Sequence, residues 1–209
     1  LTDGLFRRYF NVVDELYVVT RVYPLNCEYD KAHQERITLP NIKVIEFPNL
    51  NKPQYVFTKI PAAEKKIESI VKSLDLVFIR GGIIAMLASR VCRRMNKSYL
   101  VEASGCAWDE YWNYSLAGKI IAPYMEIQSR KTIKQADFVI YVTEKYLQDR
   151  YPSDGVSTYA SNVILDSVDD GALMNRLEKI SEKKQNSTWV LGTTAGVNNK
   201  VKGQQYVIE

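Results

Sequence analysis

Apolar and polar positions follow two rhythms along this chain, and the rhythms take turns. Glu15-Leu16-Tyr17-Val18-Val19-Thr20-Arg21 and Ile42-Lys43-Val44-Ile45-Glu46-Phe47 are rich in β-branched and aromatic residues, and both predict strands. Leu76-Val77-Phe78-Ile79 is a continuous apolar run of the kind a parallel strand shows when both its faces are covered. Segments 98–101, 138–142 and 159–163 predict three more strands. Between them the period lengthens. Leu5, Phe6, Tyr9 and Phe10 form a helical stripe that Thr2 or Asp3 can cap. Behind Pro61, residues Ala63, Ile67, Ile70, Val71 and Leu74 recur at helical spacing, while Lys65, Lys66, Glu68 and Lys72 face away. Helices are also predicted over 83–95, 123–136, 144–150 and 169–184, the last carrying Leu173, Leu177 and Ile180 on one side. This alternation predicts an α/β fold built on a doubly wound, parallel, Rossmann-like sheet.

The ends of the chain break the rhythm. Thr188-Trp189-Val190-Leu191 predicts a strand, Gly192 to Gly196 a turn, and Gly203 onward the opening of a helix. A lone strand and one helical turn bury no core of their own. The expectation is therefore one domain over residues 1–186, a polar hinge over 183–187, and the start of a second domain over 187–209. The opening helix has no strand before it, so the reading is of a chain truncated at both ends, lacking the first strand of its first domain.

Composition narrows the class. A hydrophobic share of 46% with 25% charged residues suits a folded chain rather than a disordered one. The net charge of +4 is compatible with an anionic ligand or a membrane surface and is too small to argue for nucleic acid. The apolar runs are short, and neither a transmembrane span nor a signal peptide is recognisable. Cys27, Cys92 and Cys106 are scattered without Cys-x-x-Cys spacing, which suits reduced thiols and a cytoplasmic location. With His33 alone, no histidine-based metal site or triad has sequence support, and no cofactor is expected.

Ligands of such sheets bind outside the carboxyl ends of the strands, so the residues after each strand carry the candidate chemistry. Arg80-Gly81-Gly82 sits between a strand and a helix: free backbone N–H groups at a helix start favour an anion, and a tight βα turn explains the same residues. The dinucleotide pattern G-x-G-x-x-G is absent, which disfavours a dinucleotide-dependent enzyme. Residues 102–114 are expected to form a long loop, with Glu102, Ser104, Trp108 and Asp109 as cleft or acceptor-site candidates. Flat aromatic faces beside hydrogen-bonding groups suit a sugar ring, and the same aromatics suit plain surface packing. Arg90, Arg93, Arg94 and Lys97 fall on one helical stripe, read either as a solvated face or as contact with anionic lipid.

The tail adds a resemblance. Leu191-Gly192-Thr193-Thr194-Ala195-Gly196, followed by Lys202-Gly203-Gln204, resembles the opening of the C-terminal domain of family 4 glycosyltransferases of the two-domain GT-B fold. Residues 136–143, 159–163 and 76–81 are similar to strands of that family's N-terminal domain. The resemblance implies a retaining transfer of a sugar from a nucleotide diphosphate-sugar donor to a glycan or lipid-linked acceptor, usually without a metal; the lipid reading of the basic stripe would place the chain at the inner face of the membrane. The resemblance also implies that Lys202 and Gly203 meet the donor diphosphate, and that the N-terminal domain holds the acceptor. Val197 stands where the family often has an arginine, and the histidine that many members carry after the strand ending near Glu102 is missing. The family's paired glutamates fall beyond Glu209, so the catalytic residues are unassigned and the isolated chain is expected to be inactive. A non-catalytic α/β module for a nucleotide or sugar is the competing reading.

Overall fold

In the computed structural model, which describes residues 3–22, 36–50, 55, 58–161 and 169–185, every strand pairing is parallel. The α/β expectation is met. The chain divides into two compact units, Leu1–Lys72 and Ser73–Glu209.

In the first unit, α1 (Asp3–Arg7) runs into a 3₁₀ turn (Arg8–Asn11). Asp3 lies inside the helix, and its buried carboxylate accepts hydrogen bonds from the Thr38 backbone N–H at 3.0 Å and the Thr38 hydroxyl at 2.5 Å. Those bonds hold its pKa below the ordinary carboxylate value. Strands β1 (Leu16–Thr20) and β2 (Ile42–Glu46) pair from Leu16 with Ile42 to Thr20 with Glu46. Helix α2 (Ile60–Lys72) begins beside Pro61 and buries Ala63, Ile67 and Val71, four residues apart, as its apolar period requires. Phe6, Phe47 and Leu50 complete the apolar interior of this unit.

The second unit holds a four-stranded sheet in the order β3 (Phe78–Arg80), β4 (Leu100–Ala103), β5 (Phe138–Tyr141), β6 (Val156–Tyr159). Each strand pairs with the next one in the sequence, so the helices between them are crossover connections. These helices are α3 (Gly82–Arg94), α4 (Ala107–Trp112) with α5 (Leu116–Lys134), and α6 (Tyr146–Arg150). Ile79, Val101, Val139 and Tyr141 supply the sheet side of the core, and Leu87, Val91, Cys92, Ala122, Met125 and Ile133 the helix side. Inside it, the Ser89 and Thr132 hydroxyls meet at 2.9 Å, and the Tyr99 hydroxyl donates to the Thr132 carbonyl at 3.0 Å, so these buried polar groups are paired.

Five expectations are corrected. The third strand starts two residues later than the apolar run suggests, leaving Leu76 half exposed, and it ends on charged Arg80. The fourth is likewise displaced from 98–101 to Leu100–Ala103, so Glu102 lies within a strand rather than after it. The expected loop over 102–114 contains helix α4, and α5 begins seven residues before Pro123, which the helix accommodates on an exposed turn. The last strand lies at Val156–Tyr159, upstream of the expected 159–163. A final helix, α7 (Asp170–Gln185), is where the spacing predicts it, yet Leu173, Met174, Leu177 and Ile180 of its apolar stripe are exposed. Cys27, His33 and everything from Asn186 onward lie outside the described residues.

Candidate functional site

The carboxyl ends of β3 and β4 open onto a small cleft. Beyond Arg80 the backbone turns through Gly81, with φ 33° and ψ 158°, and Gly82, with φ 84°, before α3 begins. Side chains other than glycine rarely adopt these values. A Cβ at either position would meet nothing within 4 Å, so backbone conformation demands glycine here, and the space in front of the helix start stays open. No side chain caps α3 locally.

Arg80 does not face this opening as a lone cation. It pairs across the β3–β4 register with Glu102, Nε to Oε2 at 3.2 Å, and the carboxylate is almost fully buried. That ion pair neutralises the charge the sequence placed beside the glycines.

The cleft is lined by Gly81 and Gly82, by Glu102, Ser104 and Gly105 after and within β4, and by Glu110 and Tyr111 of α4, with Ser129 and Thr132 of α5 behind them. Its volume is about 50 Å³, room for a few water molecules or one end of a polar ligand. Glu110 leans over Gly105, and burial of its carboxyl raises its pKa above the ordinary 4.5 although solvent still reaches the residue. A carboxyl shifted upward at a cleft mouth, among hydroxyls, is suited to hydrogen bonding with a ligand hydroxyl and to accepting its proton.

Helix α4 presents Glu110, and remote side chains hold α4. Its N-cap position, Cys106, makes no side-chain cap bond. The Tyr151 hydroxyl accepts from the Ala107 N–H at 3.0 Å, and Glu126 Oε2 accepts from the Trp108 N–H at 3.3 Å. Tyr151 donates in turn to Glu126 at 2.6 Å, while Arg130 and Arg150 reach Glu126 Oε1 at 2.9 and 3.3 Å. Both guanidiniums also lie over the Tyr151 ring, at 5.4 and 5.7 Å from its centroid. Burial pushes the Tyr151 phenol well above its usual pKa, so it stays a neutral donor. On the outer side Trp108 and Trp112 stack with centroids 4.9 Å apart and an interplanar angle of 16°.

The structure thus gathers Gly81, Gly82, Glu102 and Ser104 around one opening, while Arg80 is outside the lining, exposed and paired with Glu102. Trp108 and Asp109 stand on α4 outside the lining, and Lys202 and Gly203 lie outside the described residues. Sequence reasoning passed over Glu110, since nothing in its local pattern sets it apart from Asp109. The helical phase of residues 107–112 separates the two. It also passed over Glu126 and Tyr151, whose meeting is a long-range contact without a local signal. Among the described residues no group of three or more metal-ligating side chains occurs.

These observations define an α/β protein of parallel sheets with a polar cleft at the strand ends. The chain is 32% identical over 155 residues to Protein CapJ of Staphylococcus aureus, a match that takes in 72% of this chain and 38% of CapJ. The chain therefore spans well under half the length of that curated relative. Among solved structures it is similar to a UGT transferase from Siraitia grosvenorii in complex with UDP, at 10% identity and a TM-score of 0.45, covering 86% of this chain and 50% of that one. No family model matches the sequence.

Proposed function

We propose that this chain is the acceptor-side part of a glycosyltransferase of the GT-B architecture, using a nucleotide diphosphate-sugar donor with retention. Residues 1–186 are the acceptor-side domain and residues 187–209 the start of the donor domain, where Lys202 and Gly203 meet the diphosphate. The observation that carries this reading is the cleft at the carboxyl ends of β3 and β4, where Glu110 and Ser104 face the glycine-headed start of α3. Its small size suits the hydroxyl-bearing end of an acceptor rather than a whole sugar nucleotide. Glu110 orients the reacting hydroxyl, the buried Glu102 carboxylate, paired with the exposed Arg80, holds the floor, and the Gly81–Gly82 turn lets the acceptor approach the backbone. Glycan and lipid-linked acceptors both fit this chemistry.

The test is nucleoside diphosphate release from a panel of nucleotide sugars by a longer protein containing this chain. Glu110→Gln is expected to raise the acceptor KM while leaving the donor KM unchanged. Lys202→Ala is expected to weaken the donor by about 1.5–3 kcal/mol, the range for a charge-assisted hydrogen bond. Release that is absent with every donor, alongside measurable sugar binding, would replace this reading with that of a non-catalytic module.

A further inference from the structure

Helix α5 is apolar on two opposite sides. Its inner side buries Gly118, Ala122, Met125 and Ile133. At 100° per residue, Leu116, Ile120, Tyr124, Ile127, Lys131 and Lys134 fall within one sector of about 80° on the other side. Leu116 and Ile120 are 81% and 85% exposed, and Ile127 is 52% exposed. Pro123, also exposed, lies on the same line. The outward face therefore reads apolar for its first three turns, a length of about 17 Å, and basic for its last two. Trp112 and Tyr114, both exposed, extend the apolar end, and Lys119 Nζ sits over the Trp112 ring at 5.6 Å.

A helix turned apolar to solvent needs an occupant for that face. Charge identifies it. Helices α3 and α5 together carry seven cations (Arg90, Arg93, Arg94, Lys119, Arg130, Lys131, Lys134) and a single acid, the buried Glu126, whereas the whole chain is only +4. The Arg90 guanidinium reaches the Tyr124 hydroxyl and that of Arg93 the Lys131 carbonyl, each at 3.4 Å, so α3 contributes its charge beside the stripe. The nearest carboxylates on α4 are Asp109, a turn before Trp112, and Glu110, which leans toward the cleft. A second copy of the chain docking stripe to stripe would bring these cations together, and like charges oppose that arrangement.

We propose that the outward face of α5 is a membrane-docking surface for anionic lipid. Leu116, Ile120 and Ile127 enter the boundary between headgroups and acyl chains, and Trp112, Tyr114 and Tyr124 lie at headgroup level with an apolar body and a polar tip. Lys119, Lys131 and Lys134 meet the phosphates. Among the described residues no helix is long and apolar enough to cross a membrane, which fits a helix that lies on the surface. The proposal is independent of the transferase reading, since it concerns binding alone.

The test is co-sedimentation of the full 209-residue chain with vesicles of phosphatidylcholine, alone or with about one third phosphatidylglycerol. Binding is expected to the anionic vesicles only, and to weaken as salt rises. Ile120→Glu with Ile127→Glu is expected to lower the partition coefficient by about tenfold or more, with an unchanged thermal melt because both positions are exposed. Lys131→Glu with Lys134→Glu should flatten the salt dependence. Failure of the wild-type chain to bind, or equal binding by the isoleucine variant, would overturn the proposal. So would a doubled solution mass that the isoleucine variant abolishes, which would assign the stripe to a second copy.

Discussion

Tyr151 is 1% exposed, and its single hydroxyl joins two buried groups from different parts of the second unit. Replacing it by phenylalanine keeps the ring and the cation contacts but leaves both the Ala107 N–H and one Glu126 oxygen without that partner. The expected cost is about 1–3 kcal/mol, read from urea unfolding with an unchanged m-value. A loss within about 0.5 kcal/mol of wild type would show that water replaces the hydroxyl freely. Glu110 carries the opposite sign of argument. Its pKa is raised by burial, so below the ordinary carboxylate value both folded and unfolded states hold the proton. As pH climbs from there through the folded-state pKa, the unfolded chain ionises first and stability is lost. Glu110→Gln is accordingly expected to melt higher than wild type at neutral pH and to converge with it near about pH 4. Equal melting temperatures across that window would place the carboxyl in open water.

At the scale of elements, the helix–helix crossing of α4 and α5 depends on one absent side chain. A Cβ at Gly118 would collide with the Tyr111 carbonyl, in a helix that otherwise favours larger residues. Gly118→Ala is expected to destabilise by about 1–3 kcal/mol through this clash and to disturb the Trp108–Trp112 stack, seen as a change in near-UV circular dichroism. An unchanged spectrum and stability would mean that α4 shifts at little cost. This crossing also explains where reading the sequence stopped. Helices such as α2 and α3 announce themselves because one face alternates strongly against the other, and their boundaries fell within about two residues of expectation. Helix α4 is six residues long and takes its caps from Tyr151 and Glu126, 44 and 18 residues from the groups they cap. No window along the sequence contains that information. Helix α5 was half hidden for a different reason: apolar on both sides, it lacks the contrast on which periodicity depends, and Pro123 suggested a start where there is none.

For the whole molecule, alternation of short β-rich runs with helical stripes was enough to anticipate parallel α/β architecture. The division into two compact units at Lys72 and Ser73 was not anticipated, because the boundary has no glycine or proline punctuation. Of the candidate site, the glycines and Glu102 were legible from their place near strand ends. The pairing that neutralises Arg80 depends on strand register, which is a property of two strands together. The mild charge of the chain concealed its distribution, since two neighbouring helices hold more positive charge than the whole.

Cys92 lies at the centre of this second unit, 0% exposed on α3, and burial pushes its thiol up to about 11. A thiol reagent needs both access and the thiolate, and the folded state denies it both. In a chain carrying Cys27→Ser and Cys106→Ser, modification of Cys92 is therefore expected to proceed only through transient opening of α3. Its rate relative to a free cysteine then gives the opening free energy directly. Rapid modification under native conditions would contradict the packing described. One sulfur atom thus acts as a native-state timer, recording how often the helix behind the glycine turn leaves its sheet.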